Sequence, residues 1–134
     1  MDFGEPMRVC YLIQSHRDPQ QLRRLVATLG RSSPNCLVLV MHDEAHGSID
    51  PASLPCEAEL QYRAVSTPVK RGYLSMLDPY LAGVEWLRRR SLDYDWLVYL
   101  SGQDYPTQPL AESEAGLAAT PVDGYLRHWP ALSA

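Results

Sequence analysis

The chain has 134 residues, 46% of them apolar and 21% charged, which is the composition of one globular domain with a modest core. The formal net charge of -4 offers no broad attraction for nucleic acid or anionic lipid, so neither is expected as a partner. Arg23-Arg24 and Arg88-Arg89-Arg90 are local basic clusters on predicted helices and read as solvated faces.

Cysteine usage and leader signals bound the compartment. Cys10, Cys36 and Cys56 are an odd, sparse set, which argues against a disulfide scaffold. No pair of them has zinc-ligand spacing, and Cys10 and Cys36 lie in apolar runs as small hydrophobes. No apolar stretch approaches the ~20 residues that span a bilayer, and residues 1–8 lack the apolar core of a signal peptide. The expectation is a soluble chain in a reducing compartment, cytoplasmic or peripheral to a membrane, with no membrane segment of its own.

In chain order, Arg8 to Gln14 (RVCYLIQ) is a short apolar run rich in β-formers and predicts a buried strand. Asp18-Pro19 predicts a helix start, with Asp as N-cap and Pro at the first helical position. Leu22, Leu25, Val26 and Leu29 recur on one helical face, and Gly30 supplies a stop. Cys36 to Met41 (CLVLVM) predicts a second buried strand. A β-α-β opening with strands apolar on both faces implies a mainly parallel sheet covered by helices, an α/β fold.

His42 to Pro55 is a polar loop, and the alternation of Leu60, Tyr62 and Ala64 within Glu59 to Val65 predicts a third strand nearer an edge. Tyr73 to Arg90 predicts a helix with Leu77, Tyr80, Leu81, Val84 and Leu87 on one face. Pro79 either kinks that helix or restarts it with Asp78 as cap. Asp95 to Leu100 (DWLVYL) is a fourth buried strand, followed by the dense turn SGQDYPTQP, a short weak helix over Ala111 to Ala118 and one more possible strand over Val122 to Leu126.

Open α/β sheets bind ligands at the carboxyl ends of their strands. Three loops leave strands at that end and hold most of the convergent polar residues: Gln14-Ser15-His16-Arg17, Met41-His42-Asp43-Glu44, and Ser101-Gly102-Gln103-Asp104-Tyr105-Pro106. Neither GxGxxG nor GxxxxGK[ST] occurs, which argues against dinucleotide binding and a P-loop. His42 and His46 have the i, i+4 spacing of a zinc pair, but Gly47, Ser48 and Pro51 make the segment a loop, which argues against a metal. Asp43 is either an acceptor for a ligand or a cap for its own loop. Asp104 is either a functional carboxylate or a turn residue, and His16 either a base or a structural residue. Ser15, His16 and Asp18 are too close in sequence to form a triad.

These residues carry a resemblance. Tyr11-Leu12-Ile13 with His16, then His42-Asp43, then Arg71-Gly72-Tyr73-Leu74-Ser75, then Leu100-Ser101-Gly102-Gln103-Asp104-Tyr105-Pro106 together resemble glycosyltransferase family 14. That family contains the core-2/I-branching β-1,6-N-acetylglucosaminyltransferases and the peptide O-xylosyltransferases. The order and spacing run from about Arg8 to His128, and the LSGxDYP stretch is the most specific piece.

The resemblance implies a GT-A-like fold and an inverting, metal-independent transfer. GlcNAc or xylose would move from a UDP-sugar donor to a glycan or protein hydroxyl. It implies a uridine pocket lined by Gln14, Asp43 and the Val69-Lys70-Arg71 turn, with Asp104 a further substrate-binding candidate. Arg71-Gly72 stands where the family often has Trp-Gly. Eukaryotic members are anchored in the Golgi membrane.

The resemblance also places the family's catalytic Glu, and the basic residues that hold the diphosphate, beyond Ala134. Inverting transfer needs a base for the acceptor hydroxyl and cations for the leaving diphosphate. The expectation is therefore a single, incomplete domain over 1–134, the N-terminal nucleotide-sugar-binding part, inactive by itself. The alternatives are a non-catalytic nucleotide-binding or interaction module, or an inactive truncated product.

Overall fold

A computed structural model describes residues 7–65 and 77–126. The elements are β1 (Val9–Ser15), α1 (Pro19–Ser32), β2 (Leu37–Asp43), β3 (Glu59–Val65), α2 (Asp78–Arg89), β4 (Trp96–Ser101) and α3 (Leu110–Ala119), with short 3-10 turns at Glu44–His46 and Pro51–Ser53. All strand pairings are parallel, in the order β3-β2-β1-β4. This is the α/β sheet that the two-sided apolar strands imply. β1 and β2 are its centre, and β3 is an edge as its alternation suggests. β4, expected to be buried, is the other edge, and its residues are half-buried or exposed because no strand among the described residues covers its outer side.

Alternate residues of the central strands feed two cores. Val9, Tyr11 and Ile13 of β1 and Val38 and Val40 of β2 pack with Leu22, Leu25, Val26 and Leu29 of α1, and Leu110 of α3 joins them. Cys10 and Leu12 of β1 and Leu37, Leu39 and Met41 of β2 face the other way, onto Leu87 of α2. The sheet is thus sandwiched between α1 and α3 on one face and α2 on the other. Each fully buried Leu or Val contributes about 1.5–3 kcal/mol from the removal of apolar surface from water.

Local chemistry explains the helix ends. Asp18 Oδ1 accepts from the Gln21 N–H at 3.1 Å, the N-cap bond expected of it, with Asp18 itself in the left-handed region at φ 55. Gly30 does not stop α1. The helix runs on to Ser32 and closes when the Ser33 N–H bonds the Leu29 carbonyl at 2.9 Å. Gly30 serves as a point of close approach instead: a Cβ there would lie 2.8 Å from the Glu57 backbone nitrogen and 2.9 Å from Cys56 Sγ.

Three further expectations change. In α2, Leu77 is the N-cap and Asp78 the first helical residue, so the expected cap by the Asp78 side chain is not formed, and Pro79 sits in the first turn; residues 73–76 lie outside the described residues. The expected face of α2 holds in part: Leu87 is buried and Tyr80 and Val84 pack against the core, whereas Leu77 and Leu81 are exposed. Pro79 and Gly83 are buried as well, and Gly83 is a point of close approach, since a Cβ there would lie 2.8 Å from Leu12 Cδ1. Val122 to Leu126 forms no strand and is exposed throughout. No helix among the described residues is long and apolar enough to cross a membrane.

Candidate functional site

β2 and β3 lie to one side of β1 and β4 to the other. The connection direction therefore reverses between β1 and β4, which is where open α/β sheets leave a crevice at the carboxyl ends of their strands. The register brings the ends together: Ser15 pairs with His42, Asp43 with Val65, and Gln14 with Ser101. Residues from four distant stretches of sequence thus share one edge of the sheet.

Across the reversal the two loops are tied by backbone. The Gly102 N–H donates to the Gln14 carbonyl at 2.9 Å, and a Cβ on Gly102 would come within 2.8 Å of Ser15 Cβ. Only a residue without a side chain fits so close to β1. The Gln14 side chain accepts a hydrogen bond from the Tyr99 hydroxyl, so the amide is held between β1 and β4.

The turn after β4 is closed by Asp104. Its Oδ2 accepts from the Ser101 N–H at 2.7 Å, its own N–H reaches the Ser101 carbonyl at 3.0 Å, and Ser101 Oγ accepts from the Gln103 N–H at 3.2 Å. Asp104 is a turn residue by geometry, with that carboxylate oxygen committed to backbone. Tyr105 fixes the following segment to α1 through its hydroxyl, 3.0 Å from Thr28 Oγ1.

Asp43 ends β2, nearly buried, and its Oδ1 accepts from the Ala45 N–H at 2.9 Å. The loop-cap arrangement is therefore present. Its second carboxylate oxygen takes no hydrogen bond among the described residues. Cap and ligand acceptor are thus compatible roles for one side chain, since a carboxylate has about four lone-pair sites.

The sequence reading missed a buried pair. Ser15 Oγ lies 2.8 Å from His42 Nδ1, and His42 Nε2 lies 2.9 Å from the Gly47 carbonyl. A carbonyl can only accept, so in the neutral ring Nε2 carries the proton and Nδ1 receives the Ser15 hydroxyl proton. Both ring nitrogens are then occupied within the protein, and Ser15 is only 2% exposed. The pair braces the carboxyl ends of β1 and β2 and presents no nucleophile. Both residues end apolar runs, and aligning the two runs by their ends would have paired them.

On the far side of the crevice Arg17, exposed, extends from the end of β1 toward the turn after β4. With the Gln103 amide oxygen turned to it, the guanidinium donates from Nε at 2.8 Å and from Nη2 at 3.2 Å. Val69, Lys70 and Arg71 lie outside the described residues, and so does the rest of the 66–76 segment.

Among the described residues two hollows can be described, the first of them lined in part by Asp104 and Tyr105 of the candidate turn. One of ≈ 420 Å³ sits on the α1 and α3 face of β1 and β4, behind the turn, between Tyr11, Leu25, Val98, Leu100 and Leu117. The other, ≈ 510 Å³, is at the amino end of β4, beside Asp95, Trp96, Thr120 and Asp123. Compared with protein-family models, with curated proteins and with solved structures, the chain matches none.

Proposed function

We propose that this chain carries the donor-binding part of an inverting glycosyltransferase of the GT-A type. It would hold a UDP-sugar for transfer of GlcNAc or xylose to a glycan or protein hydroxyl. The observation that carries the reading is the reversal between β1 and β4, which gathers the residues of the family-14 resemblance, Gln14, Asp43 and the 101–106 turn, on one edge. In this reading Gln14 and the free oxygen of Asp43 contact the uridine. Asp104 acts indirectly, by shaping the turn that walls the crevice. Donor binding is proposed to be independent of metal.

Calorimetric titration with UDP, in EDTA and again with manganese, tests the reading. Equal affinity under the two conditions is expected. Absence of UDP binding, or binding that appears only with manganese, contradicts it.

A further inference from the structure

We infer that Arg17 is a cation of this chain that receives the anionic group of the crevice ligand, in addition to any basic residues that the resemblance places beyond Ala134. On the nucleotide reading above, on which this inference rests, that group is the diphosphate of the donor.

Arg17 stands two residues beyond the end of β1, on the side of the reversal, and it is exposed. The Gln103 amide lies against it, and with its oxygen turned to Arg17 it accepts from Nε and Nη2, a neutral partner that orients the guanidinium without cancelling its charge. Asp18, next in sequence, caps its helix through Oδ1 to the Gln21 N–H at 3.1 Å, and Asp104 in the facing turn bonds the Ser101 N–H through Oδ2 at 2.7 Å. Neither pairs with Arg17: the ion pairs among the described residues are Arg8–Glu59, Arg88–Glu85 and Arg89–Glu85.

A guanidinium stays protonated at every physiological pH and has five N–H donors. Two face Gln103, so Nη1 and the rest of Nη2 remain for a ligand. That fork matches phosphate oxygens two at a time, which a single ammonium cannot do. An oriented, uncancelled Arg at the mouth of a sheet crevice therefore selects an anion with adjacent oxygens. Gln103 acts as a positioning residue for it.

The test compares UDP, uridine and inorganic pyrophosphate on the wild-type chain and on Arg17→Gln and Gln103→Ala. Both side chains are exposed, so the melting temperature is expected to hold and serves as the folding check. Arg17→Gln is expected to weaken UDP and pyrophosphate about tenfold, as for loss of a charge-assisted pair, and to leave uridine unchanged. Gln103→Ala is expected to give the same pattern with a smaller loss. UDP binding that Arg17→Gln leaves intact, or a loss shared equally by uridine, overturns the assignment of Arg17 and leaves the nucleotide reading standing. Pyrophosphate binding that depends on Arg17, without measurable affinity for UDP or uridine, keeps the anion site and removes the nucleotide. Failure of the wild type to bind any of the three overturns both.

Discussion

Ser15 Oγ and His42 Nδ1, 2.8 Å apart and both buried, join the last residue of β1 to the penultimate residue of β2. The His42 ring continues the connection to the Gly47 carbonyl, so one imidazole fixes the carboxyl edge of both central strands and the loop that follows. Ser15→Ala leaves Nδ1 buried without its donor. The expected cost is about 1–3 kcal/mol, the penalty for an unsatisfied buried polar group, measured by urea unfolding. An unchanged midpoint would show that the pair contributes nothing net.

Asp43 separates its two roles by choice of substitution. Asparagine caps as well as aspartate, so Asp43→Asn keeps the bond to the Ala45 N–H and removes the charge, while the second oxygen, the proposed ligand acceptor, becomes an NH2 donor. Stability is expected to hold within about 0.5 kcal/mol, while UDP affinity falls about tenfold, as for a lost charged acceptor. Asp43→Ala is expected to lose both stability and affinity. If Asp43→Asn binds UDP as the wild type does, Asp43 is a cap alone.

The layered sheet could be read from the sequence because β1 and β2 are apolar on both faces, and α1 because Leu22, Leu25, Val26 and Leu29 keep strict helical spacing. The α2 face was legible in part. Tyr80, Val84 and Leu87 pack on the core as the period implies, whereas Leu77 and Leu81 fit the period and are exposed, and Gly83, which the period passes over, makes the close approach to Leu12. Val122 to Leu126 is interrupted by Asp123-Gly124, both poor strand formers, and stays exposed although Tyr125 stacks on Trp96 of β4. The loops after β1, β2 and β4 share one edge because the strands are parallel, which the strand pattern implies, whereas the Ser15–His42 and Arg17–Gln103 pairs are tertiary and depend on register.

Two helical glycines should respond oppositely to alanine. Gly30→Ala drives a methyl toward the backbone nitrogens of Glu57 and Ala58, at 2.8 and 3.1 Å, which can move only with their loop. A loss of about 1–3 kcal/mol is expected from overpacking. Gly116, within α3, has nothing within 4 Å of its Cβ position. Gly116→Ala is expected to raise stability by about 0.5–1 kcal/mol through helix propensity. Thermal melts of the two variants decide, and equal effects would contradict the packing around Gly30.

Burial pushes the thiols of Cys10 and Cys36 up to about 12, and the neighbouring thiol adds to the effect at each. The thiolate is the reactive form, so iodoacetamide at pH 8 is expected to leave both unlabelled in the folded chain and to label both in urea. The sign for stability follows from the raised values. The folded state holds these protons more tightly than the unfolded one, so their contribution is complete below about pH 9 and lost as pH climbs toward 12. Rapid labelling of Cys10 or Cys36 in the native protein would place them outside the core.

The central claim is that a uridine nucleotide binds at the carboxyl edge where β1 and β4 meet. Backbone amide NMR of the chain titrated with UDP measures this directly. The expected result is saturable shifts concentrated at Gln14 to Arg17, Asp43 and Gly102 to Asp104, retained in EDTA. Shifts confined to the hollow beside Asp95 and Trp96 at the opposite end of the sheet, or no shifts at all, would contradict it.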